Sequence, residues 1–187
     1  MTREDADGVV SGAIYVLGKP GVTAIVLGGL ALAVAAGIWG RRRPWAIGAV
    51  LGLTAILALT IPVDGLSGLD APRTNAEGFW TRLFDPSAYE MWRTYGLHSA
   101  EGMANVLLYM PFAFFAAMWS RRFALTAVAG VGLSVAIETV QSMTYRAATV
   151  GDVLNNSIGT LIGVALALAV SVPVWLWRRG RVTPAHT

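Results

Sequence analysis

Long apolar runs broken by short polar stretches set the pattern of this chain. Windows of helical length fall at 21–39, 44–61, 103–119, 123–141 and 157–177. A membrane-crossing helix needs about 20 mainly apolar residues, and the chain supplies several such runs separated by short charged stretches. The pattern predicts an all-α, polytopic transmembrane helix bundle of about five spans. It divides the chain into a tail (1–20), a two-helix membrane segment (21–61), an aromatic-rich loop (62–102), a three-helix membrane domain (103–177) and a basic tail (178–187). Pro20 and Pro44 stand where a first helical turn tolerates proline, and Pro62 follows a helix end. Pro111 lies inside the third span, where it should kink the helix and free a carbonyl near Leu107.

The polar interruptions carry an orientation. Arg41–Arg43, Arg121 with Arg122, and Arg178, Arg179 and Arg181 occupy alternate connections, which should face the cytoplasm. All 11 acidic residues lie in the N-terminal tail, in 62–102 or around the junction of spans four and five. The N-terminus is therefore expected outside and the C-terminus inside. Trp39, Trp45, Trp119, Trp175 and Trp177 adjoin the arginines, as interfacial anchors do. The acidic start, Met1 to Gly8, lacks the basic region of a secretory signal, so the first span is expected to persist.

Composition agrees: 55% of residues are hydrophobic and 13% charged. With no cysteine there is no thiolate site, and His98 and His186 form no metal-ligand pair, so neither metal nor cofactor is expected. The pI near 9.7 comes from arginines flanking apolar segments, not from a stripe that could follow phosphates, which argues against nucleic acid. In the 62–102 loop, Phe79, Trp80, Phe84, Tyr89, Trp92 and Tyr95 alternate with charges. Two arrangements suit them: lying along the headgroup region, or capping the bundle.

Spans one and two hold few hydrogen-bonding side chains beyond Thr23 and Thr54, whereas the second half gathers polar residues at one end. Glu101 and Asn105 open span three, Glu138 and Gln141 close span four, Arg146 lies in the turn, and Asp152, Asn155 and Asn156 open span five. Glu138 and Gln141, three apart, share a helix face. Asp152, Asn155, Asn156, Gly159 and Gly163 place a carboxylate and amides above a glycine stripe that admits a neighbouring helix. The short turn makes spans four and five antiparallel, with Arg146 in reach of both carboxylates. A carboxyl such as Glu138, one turn inside a span, needs an ion-pair partner or amide donors, or else stays protonated.

This order and spacing resembles the VanZ-like family: Asn105, Met110-Pro111-Phe112, Leu133 to Glu138 with Gln141, Arg146, Asp152, Asn155, Asn156 and Gly159. The resemblance covers 103–168, with Ala113 where the family often has glycine, while spans one and two match nothing in particular. It implies a multi-pass protein of the bacterial cytoplasmic membrane, in a family whose name-giving member is linked to low-level teicoplanin resistance. It also implies that the matching polar residues form a functional site, without fixing its chemistry.

The bland reading is that these residues only staple helices together, at roughly 0.6 kcal/mol per bond, and that Asp152 is a helix cap. The leading functional reading is an outward-facing site that binds or modifies an envelope lipid, or a lipid-linked envelope precursor, through Asn105, Gln141, Arg146, Asn155 and Asn156. In an enzymatic version Glu138 and Asp152 are the acid/base pair. The alternatives are a proton-coupled small-solute transporter relaying through Glu138, and a non-catalytic scaffold for envelope enzymes. Apolar inner halves of the spans count against transport. The scaffold reading predicts that Glu138→Gln is silent and loop truncation is not.

Overall fold

The computed structural model describes residues 19–39, 43–61, 73–144 and 148–180. Among these, every regular element is a helix: α1 Pro20–Trp39, α2 Arg43–Thr60, α3 Arg73–Leu83, α4 Pro86–Tyr95, α5 Ala100–Ser120, α6 Phe123–Ser142 and α7 Val150–Gly180. Four helices, α1, α5, α6 and the 150–173 part of α7, are long and apolar enough to cross a membrane, and a shorter apolar helix, Pro44–Thr60, accompanies them. The chain is a helical membrane bundle. Leu27, Leu32, Val34, Leu125, Val128 and Leu161 project outward, the exposure expected of side chains that meet lipid.

The helices pack in the spatial order α1, α2, α5, α7, α6, with α5 and α7 making the largest interface. A Cβ at Gly159 would overlap the Val106 carbonyl, and one at Gly163 the Met110 carbonyl. The glycine stripe of α7 therefore seats directly on the α5 backbone. Where lipid removes the usual hydrophobic drive, such close backbone approach supplies the dispersion contacts that hold helices together. Pro111 lies within α5, which continues past it without a break. The lost N–H is tolerated where neighbours close in, and Gly52 of α2 brings its backbone against Phe112.

At the arginine end, Ala113, Ala117, Met118, Val164 and Ala167 form a dry cluster, with Trp45 and Phe114 edge to face beside it. Arg121 closes α5 in the left-handed region at φ 58°, an unusual place for a residue with a Cβ. Its guanidinium donates to Ser171 Oγ at 2.8 Å, tying the α5–α6 turn to α7.

The opposite end departs from a simple loop, because 73–83 and 86–95 are helical. Asp85 caps α4 by accepting from Ser87 N at 2.9 Å, and Pro86 at the first helical position loses no hydrogen bond there. That backbone donor holds the exposed Asp85 carboxyl below its ordinary pKa. Phe79, at 0% exposure, packs with Ala148 and Val153 over α6 and α7. Trp80, Phe84 and Met91 face outward, Phe84 with 79% of its surface exposed. The segment thus caps the bundle with one set of aromatics while presenting another.

Candidate functional site

The polar site grows from the start of α7. Thr149 precedes the helix and accepts from Asp152 N at 3.0 Å, while its hydroxyl donates to Asp152 Oδ2 at 2.6 Å. This is one half of a capping box. The other half is supplied from α6: the Thr149 N–H donates to Glu138 Oε2 at 3.1 Å. Thr149 therefore joins the two carboxylates. Asn105 Nδ2, from α5, donates to Asp152 Oδ1 at 2.6 Å, so both oxygens of Asp152 are engaged.

The amides hold neighbouring elements. Trp92 Nε1 donates to Asn155 Oδ1 at 2.8 Å, which docks α4 on α7. Asn156 Nδ2 donates to Ser134 Oγ at 3.0 Å across the α6–α7 interface. Gln141 Nε2 donates to the Thr60 carbonyl at 2.8 Å. That carbonyl belongs to the last turn of α2, so the bond ties the end of α6 to the end of α2.

Burial sorts the same residues. Glu138 is 3% exposed, and Gln141, Asn155 and Asn156 are also buried, whereas Asp152 and Asn105 are half-buried. A cavity of about 460 Å³ lies between α4, the start of α5 and the start of α7. Asp152, Asn155 and Thr149 line one wall, Trp92 and Met91 another, with Arg82, Glu101 and Ser99 around them. Its size suits a small molecule or a lipid headgroup. Asp152 and Glu101 are the carboxylates among its lining residues, and Glu138 is joined to Asp152 through Thr149.

The sequence-predicted residues Asn105, Glu138, Gln141, Asp152, Asn155 and Asn156 thus converge on one end of the bundle. Arg146 lies outside the described residues. No group of three or more acidic residues, histidines or cysteines that could hold a metal occurs among the described residues. Sequence reasoning overlooked Thr149, although Thr149-Val150-Gly151-Asp152 has the spacing of a capping box. It overlooked Tyr109 and Thr160 as well, both fully buried. Tyr109 stands one turn from Asn105 on α5, a spacing that could have drawn notice.

The family model described as VanZ/LLP1 matches residues 45–172, from the start of α2 well into α7. The match reaches further back than the 103–168 stretch that carries the resemblance, so α2 and the aromatic cap fall within it. No curated protein and no solved structure matches the chain.

Proposed function

Since the chain belongs to the VanZ/LLP1 family and is a membrane protein of that family, we propose that it binds the polar headgroup of an envelope lipid in the cavity between α4, α5 and α7. The observation that carries this reading is the lining itself. Two carboxylates, an amide, a cation and an indole converge on a space of headgroup size at one end of an apolar bundle. Arg82 suits a phosphate, Asp152 and Asn155 suit sugar hydroxyls, and the Trp92 ring suits the apolar face of a sugar. The exposed Met91 lines the cavity, where an acyl chain would leave it for the bilayer.

In this reading the chain is a multi-pass protein of the bacterial cytoplasmic membrane, with the cavity outside and the arginine end inside. The charge asymmetry supports that orientation. In the cysteine-free chain, a cysteine placed at Ala76 should react with an impermeant thiol reagent in intact cells, and one replacing Arg122 should not. The opposite labelling would put the cavity on the cytoplasmic side.

The binding test uses the purified full chain in detergent, by native mass spectrometry against a lipid-linked disaccharide precursor, phosphatidylglycerol and phosphatidylcholine. The precursor should be retained preferentially, and Arg82→Gln and Asp152→Asn should each weaken retention. Equal retention of all three lipids would end the headgroup reading. In a sensitive host, the same reading expects raised teicoplanin tolerance from the wild type, lost in variants that still accumulate.

A further inference from the structure

The polar column continues below the cavity. On α7, Asp152 is followed at one-turn intervals by Asn156 and Thr160, a descent of roughly 12 Å at 1.5 Å per residue. Running the other way, α6 presents Glu138, Ser134 and Gly130, with Gly130 against the Thr160 side chain. Tyr109 enters from α5 and lies near Ser134 and Glu138.

Two polar atoms in this stretch, Asn156 Oδ1 and Thr160 Oγ1, are buried and make no hydrogen bond among the described residues, and the equally buried Tyr109 Oη has the Ser134 hydroxyl beside it without a well-formed bond. Tyr109 and Thr160 are 0% exposed and Asn156 2%. Turning the Asn156 amide over would not help, because it would exchange an unpaired oxygen for an unpaired nitrogen. Thr160 is exceptional for its setting. The hydroxyls of Thr23, Thr54, Thr60, Thr126 and Thr139 each bond the carbonyl four residues earlier, as helical threonines do in apolar surroundings. Thr160 does not, so its hydroxyl is turned from its own helix.

We propose that this end of the column is an internal water site. A water molecule there accepts from the Tyr109 hydroxyl, donates to Asn156 Oδ1 and reaches the Thr160 hydroxyl, supplying the two to four polar partners that a buried water requires. The donor and acceptor types favour water over a cation, since Tyr109 has a hydrogen to give and Asn156 Oδ1 one to receive. Below Thr160 the dry cluster of Ala113, Ala117, Val164 and Ala167 closes the column. The site is a blind hydration pocket beneath Glu138, not a channel, and it stands whichever headgroup the cavity takes.

Radiolytic hydroxyl footprinting of the full chain in detergent tests this. A bound water generates radical beside the Tyr109 ring, whereas radical formed in bulk solvent does not reach a fully buried side chain. Tyr109 should be labelled in the wild type, as exposed Tyr89 is. Labelling at Tyr109 should be lost in Asn156→Leu and reduced in Thr160→Val, a nearly isosteric change that keeps the packing, with Tyr89 unchanged in both. An unlabelled Tyr109 beside a labelled Tyr89 in the wild type overturns the proposal. So does Tyr109 labelling that survives both variants.

Discussion

Asn105 on α5 donates to Asp152 on α7 at 2.6 Å, a bond between residues 47 apart in sequence that fixes the register of the two most closely packed helices. Interhelical bonds of this kind contribute about 0.6 kcal/mol, up to about 1.7. A double-mutant cycle of Asn105→Ala and Asp152→Ala, read by thermal unfolding in detergent, should show coupling in that range. Zero coupling would mean that the two side chains act independently.

Glu138 serves Thr149 as a hydrogen-bond acceptor, which Gln retains and Leu does not. Glu138→Gln should therefore accumulate in the membrane nearly as the wild type does. Glu138→Leu should cost about 1 kcal/mol, the usual toll of a lost helix cap. Hydrogen exchange at the Thr149 amide should quicken in the leucine variant alone; equal quickening in both would show that charge matters more than acceptance.

The α5–α7 contact depends on missing side chains. Gly159→Ala and Gly163→Ala each drive a methyl into a carbonyl of α5, and should lower stability by about 1–3 kcal/mol as the helices part. Gly132, with nothing within 4 Å of a Cβ built there, is the control. Its change to alanine should be neutral or stabilise slightly, since alanine is the better helix former. Thermal unfolding of the three variants decides the matter.

Trp92→Phe keeps a ring at the cavity wall and removes the donor to Asn155. Segment 86–95 should exchange its amide hydrogens faster and lipid retention should weaken, while the melting temperature of the bundle hardly moves. A large fall in melting temperature would show that α4 stabilises the bundle as well as covering the cavity.

The Asp85 cap gives α4 a pH dependence. Its carboxyl titrates lower in the folded chain than in an unfolded one, because ionised Asp85 accepts from Ser87 N. The stabilisation is therefore complete above the unfolded pKa of about 3.9 and fades as pH falls through the lower folded value. Proteolysis across 83–95 should rise in that acid window, and Asp85→Asn, an uncharged cap, should flatten the response.

How much of this was legible beforehand differs by residue. The membrane helices followed from apolar run length, a local property that lipid enforces. The shared face of Glu138 and Gln141, and of Asp152, Asn155, Asn156 and Gly159, followed from the 3.6-residue period, again local. The short α6–α7 connection then required those faces to meet. The family resemblance was readable for the same reason, since it is a spacing of polar residues along helices.

What only the tertiary structure decided is which partner each group takes. Gln141 meets the Thr60 carbonyl 81 residues away, and Asn155 meets Trp92 across 63, and no periodicity encodes either pairing. The rotation of each helix in the packed bundle determines that Asp152 reaches the cavity while Glu138 lies behind Thr149. It also determines that Tyr109 faces inward toward Ser134, and that Asn156 Oδ1 and Thr160 Oγ1 are buried without a partner among the described residues. Sequence set the helices and the polar inventory because hydrogen bonding and hydropathy act along the chain; contact, burial and access waited on packing, which acts between segments far apart in it.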